Sequence, residues 1–259
     1  LGDFLYQPSE LVKLLLIFYL SSWFDRKKDA HANFWFGLLP PLLVSGVVIG
    51  LVILEPDIGT AAIIAFILLI LLFAAGVSLK HLGFLVGLGV AALWLIIKLV
   101  PSRAARITTF LDPSLDPRGI GYHINQALLA IGAGGLWGYG FGKSLQKHNY
   151  LPEPIGDSIF AVMAEELGFL RILLLLITFA GLIFLGLRVA KNASDKFGQL
   201  VAASITGWIG LQALVNIGAI TGLLPLTGIT LPFISYGGSS LVVLCLAVGV
   251  LLNISRNRV

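Results

Sequence analysis

Apolar residues run along the chain in long blocks, separated by short polar turns. Seven blocks stand out, over 8–24, 34–54, 58–78, 82–100, 169–190, 199–219 and 239–254, each bounded by charge, glycine or proline. Their lengths match the roughly 20 residues that an α-helix needs to cross a hydrocarbon core of about 30 Å. A transmembrane barrel would show short segments of alternating hydropathy instead, and the chain lacks them. The pattern predicts an all-α polytopic membrane protein, a helical bundle of about seven transmembrane helices in a single domain, 1–259, with one long connection at 101–168. Inside the blocks, Gly46/Gly50 and Gly83/Gly87 have the GxxxG spacing that lets helices approach closely. Pro40 and Pro41 predict a kink in the second block.

Composition strengthens this reading: 58% of residues are hydrophobic and 12% charged, against about 25% charged in an average soluble domain. Lys and Arg favour cytoplasmic loops, and here they separate by turn. DRKKDAH (Arg26, Lys27, Lys28), SLKH (Lys80), RVAKNASDK (Arg188, Lys191, Lys196) and the tail SRNRV (Arg256, Arg258) are basic, whereas EPDIGT and TGLLPLTGITLPFISYGGS contain no Lys or Arg. The second group, and with it the connection 101–168, is expected to face outward. The single cysteine, Cys245, rules out an intramolecular disulfide. His31, His81, His123 and His148 have no ligand spacing, which argues against a dedicated His/Cys metal site. No nucleic-acid partner and no organic cofactor are expected. The chain begins with leucine and enters its first block almost at once, so a fragment lacking its N-terminal part is expected.

Connections as long as 101–168 are uncommon without a function. This one passes from PSRAARITTF through DPSLDPRGIGY to the Gly-rich QALLAIGAGGLWGYGFG, which predicts helix and re-entrant backbone. GYGFGKS resembles the end of a phosphate-binding loop, but the glycine required five residues before Gly142 is Trp137. A nucleotide site is therefore rejected, and the glycines are read as permitting close backbone approach. Glu10 and Lys13, one helical turn apart, form either structural glue or part of a cavity wall, since charge at membrane depth is costly. Asp57 stands one residue before the third block, as an N-cap would.

Most of the candidate chemistry lies in YLPEPIGDSIFAVMAEELGFL, which holds Glu153, Asp157, Glu165 and Glu166. Pro152 and Pro154 predict extended chain around Glu153. SIFAVMAEEL reads as a short helix closed by Gly168. Glu166 shares a helical face with Ile159, Val162 and Met163 and must find a partner there, whereas Glu165 turns toward alanine. Asp157 lies at or near the N-cap. It either only caps the helix or acts as a general base on a hydroxyl, with Arg103, Arg106, Lys143 and Lys147 available to hold an anionic leaving group.

Longer motifs choose between these readings. QPSELVKL (7–14), EPDIGTA (55–61), RITTFLDPSLDPRGIGYHINQALLAIGAGGLWGYGFGKSLQKHNYLPE (106–153), DSIFAVMAEELGF (157–169) and QALVNIGAITGLLPLTGITLPFISYGGSSL (212–241) closely resemble the shape, elongation, division and sporulation (SEDS) family. GLLPLTGITLPFISYGGSS and GFGKSLQKHNYLPE are more similar to its division and sporulation members than to its rod-shape member. The resemblance implies a ten-helix fold in the bacterial cytoplasmic membrane, of which this chain carries the last seven helices. It also implies peptidoglycan glycosyltransfer from lipid II on the outer face, with a class B penicillin-binding protein and other divisome or elongasome membrane proteins as partners. A divalent cation, Mg²⁺ or Mn²⁺, is implied as well.

The family's catalytic aspartate, in P-E-x-x-x-D-x-I-F, maps onto Asp157 through Pro152, Glu153, Ile159 and Phe160. Ile155, Gly156 and Ser158 stand where the family commonly has His, Thr and Phe. Glu153, Arg106, Lys143 and Lys147 are expected at the substrate, Glu10 and Lys13 at a lipid-binding cavity, and Glu166, Gly237 and Gly238 in structural roles. A lipid II flippase and a divisome scaffold are the alternative functions.

Overall fold

The computed structural model describes residues 7–27, 34–117, 119–148 and 150–256, without the side chains of Phe34 and Pro113. Lys28, His31 and Arg258 lie outside the described residues. The described chain is helical: α1 (Pro8–Arg26), α2 (Leu39–Leu54), α3 (Ile58–Ala75), α4 (Leu79–Leu99), α5 (Pro101–Leu111), α6 (Ile120–Ala133), α7 (Ile159–Lys191), α8 (Lys196–Ile220) and α9 (Gly238–Arg256). Among the described residues, six stretches are long and apolar enough to cross a membrane: Trp35–Leu54, α3, α4, α7, α8 and α9. The expected span at 8–24 is α1, whose 19 residues are long enough but carry Glu10, Lys13, Asp25 and Arg26.

Local chemistry explains several boundaries. Asp57 caps α3 by accepting from the Thr60 amide at 2.9 Å, which contributes about 1 kcal/mol in typical cases. Gly76 ends α3 in the left-handed region, φ 89, as glycine does after many helices. The kink expected at Pro40 and Pro41 is not where the sequence predicts it. The prolines lie in the first turn of α2, where a missing amide costs nothing, and a five-residue π-helical turn, Phe34–Leu38, precedes them.

The chain folds into two compact units. The first comprises Leu1–Gly89, Gly181–Leu211 and Gly238–Val259. Its core joins Leu16, Leu20 and Phe24 of α1 to Ile64, Leu68, Leu71 and Leu72 of α3, with Val52, Leu82 and Leu200. The 3–4 residue spacing on α1 and α3 puts each set on one helical face. Leu43, Val47, Leu51 and Leu54 on α2 are exposed, and apolar exposure of this kind suits a helix bordered by lipid. The GxxxG glycines do not bring helices together among the described residues. A methyl group added at Gly46, Gly50, Gly83 or Gly87 would meet nothing within 4 Å, because these faces of α2 and α4 point away from the core.

The second unit comprises Val90–Ala180 and Gln212–Gly237. Its core gathers Ala127 and Ala130 of α6, Phe160, Ala161, Ala164 and Ile172 of α7, Ala213 and Ile220 of α8, and Leu231. The long connection supplies most of this unit: α5, a 3-10 turn at Pro113–Leu115, α6, and non-helical backbone up to Ser158. Helix α7 is broken at Gly168, φ 76 and ψ 172. The short helix expected before that glycine is therefore residues 159–167.

Candidate functional site

The C-terminal end of the 159–167 segment is tied to the Gly-rich backbone before it. Tyr139 and Gly140 amides donate to the carbonyls of Glu165 and Glu166 at 3.1 and 2.9 Å, and Phe169 donates to the Gly135 carbonyl at 2.9 Å. Two chains this close leave no space for a Cβ. One at Gly168 would collide with the backbone of Trp137 and Gly138, and one at Gly138 would collide with the Glu166 carbonyl. Both glycines have positive φ, 76 and 75, so conformation and contact demand the same residue.

Glu165 and Glu166 hold the following turn in place. Glu166 accepts from the amides of Gly142 and Ser144 at 2.8 and 3.1 Å, and from Lys147 Nζ at 2.6 Å. Glu165 accepts from the Ser144 hydroxyl at 2.5 Å and from the amides of Leu145 and Gln146 at 3.0 and 3.3 Å. Both carboxylates are buried. Several donors per buried carboxylate are what offsets its lost hydration.

The N-terminal end is built differently. Glu153 adopts a left-handed conformation, φ 45, so the chain turns there rather than running extended between its two prolines. That strain is supported by its carbonyl, which accepts from the amides of Gly156 and Ser158 at 3.1 and 3.3 Å. Ser158, not Asp157, immediately precedes α7, and its carbonyl accepts the Ala161 amide at 3.0 Å. Asp157 is held through its backbone: Asn216 on α8 donates to the Asp157 carbonyl at 2.8 Å and to that of Ile229 at 2.7 Å. The carbonyl of exposed Ile155 accepts from the Tyr236 amide at 2.8 Å. Ile155 therefore anchors the loop through its main chain and needs no polar side chain to do so.

Around the Asp157 carboxylate stand Ser158, His123, Glu153 and Arg106. Ser158 Oγ is 3.3 Å from Asp157 Oδ1, 2.8 Å from the Pro152 carbonyl and 2.6 Å from His123 Nε2. Burial pushes the Asp157 carboxyl above its ordinary value, against the opposing pull of His123 and the Ser158 hydroxyl, while Glu153 adds to the rise. Burial lowers the His123 imidazole, and Asp157 and Glu153 oppose it. It also lowers the Arg106 guanidinium, with Arg103 adding to the effect and Asp157 opposing it. A partly desolvated carboxyl, raised by burial, is suited to taking a proton.

The residues singled out in the sequence thus separate. Asp157, Glu153 and Arg106 share one neighbourhood. Lys147, expected at the substrate, is committed to Glu166 and to the Gly142 carbonyl at 2.7 Å, because Glu166 needs a counter-charge. Lys143 is exposed. Glu10 and Lys13 belong to the first unit. They pair at 2.7 Å and are almost fully buried, with Lys13 Nζ 4.9 Å from the Trp208 ring centre. Gly238 starts α9, and Gly237 precedes it. Among the described residues no three His, Cys, Asp or Glu side chains gather as cation ligands. His123 and Asn216 were missed. They lie 35 and 59 residues from their partners, and neither belongs to the acidic motif.

This is a polytopic helical membrane protein with a partly buried acid in a large inter-helix connection. It belongs to the FtsW/RodA/SpoVE family of cell cycle proteins, whose model matches residues 1–259. Stage V sporulation protein E of Bacillus subtilis is 43% identical over 255 residues, covering 98% of this chain and 70% of that protein. A probable peptidoglycan glycosyltransferase FtsW of Coxiella burnetii is 45% identical over 258 residues, covering 98% and 69%. Among solved structures, a chain of a peptidoglycan synthase complex superposes with a TM-score of 0.79 at 30% identity, covering all of this chain and 72% of its own length. The rod shape determining protein RodA of Thermus thermophilus superposes at 0.66 and 29% identity, covering 98% and 66%.

Proposed function

We propose that this protein is a peptidoglycan glycosyltransferase that joins lipid II into glycan strands, and that Asp157 is its general base. The observation that carries the assignment of the base is the partly buried Asp157 carboxyl, raised by burial and set near Arg106. As the 4-hydroxyl of the acceptor sugar attacks the anomeric carbon of the donor, its proton passes to the Asp157 carboxylate. The new glycosidic C–O bond forms as the bond from that carbon to the diphosphate oxygen breaks. Undecaprenyl diphosphate leaves, and a single displacement inverts the anomeric carbon. Arg106 offsets charge on the departing diphosphate, with exposed Lys143 as a second, mobile cation.

Three further assignments accompany this reading. The connection 101–168 faces outward from the bacterial cytoplasmic membrane, supported by the basic turns on the other side. A class B penicillin-binding protein is the partner, supported by the likeness to a chain of a peptidoglycan synthase complex. A divalent cation, if bound together with the substrate diphosphate, would supply charge neutralisation of the leaving group, since Mg²⁺ commonly takes one or two carboxylates plus phosphate oxygens; no step above depends on it.

The test uses the full-length protein with its penicillin-binding partner in liposomes containing lipid II. Asp157→Asn is expected to lower the polymerisation rate by roughly 10²–10⁴-fold. Normal polymer formation by that variant would remove Asp157 as the base. Lipid crossing the bilayer without polymer would instead favour the flippase reading.

A further inference from the structure

The 2.6 Å contact between His123 Nε2 and Ser158 Oγ is short, and Ser158 is fully buried. A serine hydroxyl has one proton to donate. The other neighbours of this oxygen, the Pro152 carbonyl and Asp157 Oδ1, are acceptors when Asp157 is ionised. The Pro152 carbonyl can only accept, and at 2.8 Å it takes the hydroxyl proton; with that proton committed, the 2.6 Å contact to His123 is made by Nε2 donating. The imidazole therefore carries a proton on Nε2, either as the neutral tautomer or as imidazolium.

The geometry points to His123 as a positioning residue for Asp157. Its N–H occupies the acceptor side of the Ser158 hydroxyl and turns that hydroxyl's proton toward the Pro152 carbonyl and the Asp157 carboxylate, and its positive form offsets the buried anion. The inference rests on reading Asp157 as the base. The other charged groups facing the pair are Glu153 in the same loop and Arg106 on α5, with Arg103 acting on Arg106. Helix α8 contributes the neutral Asn216. Glu153 disfavours the carboxylate and Arg106 favours it, while His123, lowered by burial, gains its charge on the acid side of the ordinary imidazole range.

The experiment measures kcat, KM for lipid II and the pH–rate profile of the full-length protein with its partner, comparing wild type, His123→Gln and His123→Phe, with Asp157→Asn as reference. His123→Phe removes the donor and the charge, and is expected to lower kcat about 10-fold or more with KM changed less than about 2-fold. His123→Gln keeps an N–H donor and loses the charge. Its kcat at alkaline pH should return to within about 3-fold of wild type, while the acid limb moves to higher pH by about half a unit or more, because Asp157 loses a neighbouring cation. An Asp157→Asn variant that is inactive, beside two His123 variants with wild-type kcat and acid limb, overturns the positioning role alone. An active Asp157→Asn variant overturns the base itself. If His123→Phe does not fold, His123→Gln decides: a shifted acid limb supports the role and an unmoved one overturns it.

Discussion

The two ends of the short helix 159–167 carry carboxylates under opposite regimes. At the C-terminal end Glu165 and Glu166 are saturated, between them accepting four backbone amides, the Ser144 hydroxyl and Lys147. At the N-terminal end Asp157 has its backbone carbonyl fixed by Asn216, while its carboxyl receives a long contact from the Ser158 hydroxyl and one from its own backbone amide, and is raised by burial. A saturated carboxylate is a fastener, because protonating it would break bonds it already makes. An under-satisfied one can gain from taking a proton, which suits a base. Along ten residues of chain, donor supply separates structure from chemistry.

Four changes test that contrast. The largest effect falls on the reacting end: Asp157→Asn should remove about 10²-fold or more of the polymerisation rate. Next is Gly168→Ala, which places a Cβ against the backbone of Trp137 and Gly138 at positive φ. It should cost about 3 kcal/mol or more, read as a lower midpoint of thermal unfolding in detergent, and would detach the Gly-rich turn. Lys147→Met leaves Glu166 without its cation. Because Lys147 is a quarter exposed, the loss should be about 1–2 kcal/mol, below that of a fully buried pair. If Lys147 instead held substrate, this variant would raise KM and leave stability unchanged.

The smallest effect concerns stability against pH. A carboxyl raised on folding favours the native state fully below its unfolded value, about 3.9, and loses that contribution as pH rises through the folded value. Ionised Asp157 therefore burdens the native state near neutral pH. Asp157→Asn should melt slightly higher than wild type at pH 7, by about 1–3 °C, with the gap closing as pH falls toward about 4. A lower melting midpoint for the variant at pH 7 would show that the Asp157 carboxylate is a fastener too.

How far the site could be read from sequence follows from the range of each signal. Ser158 and Asp157 are adjacent in the chain, so one short motif marks both. Lys147 was visible only as a positive charge, and its pairing with Glu166 across 19 residues depends on the Gly-rich turn folding back. The Gly46/Gly50 and Gly83/Gly87 spacings misled, since spacing says which residues share a helical face but not whether another helix lies against it.

The sequence by itself determined the long apolar helices, the cap at Asp57 and the break at Gly168, because hydropathy, capping and backbone freedom act within a few residues of chain. Tertiary structure alone decided that His123 on α6 meets Ser158, that Asn216 on α8 fixes the Asp157 backbone, and that Lys147 is bound to Glu166. Those contacts depend on how separate elements pack. Packing of that kind is set by all the side chains between them and leaves no periodic mark at either end.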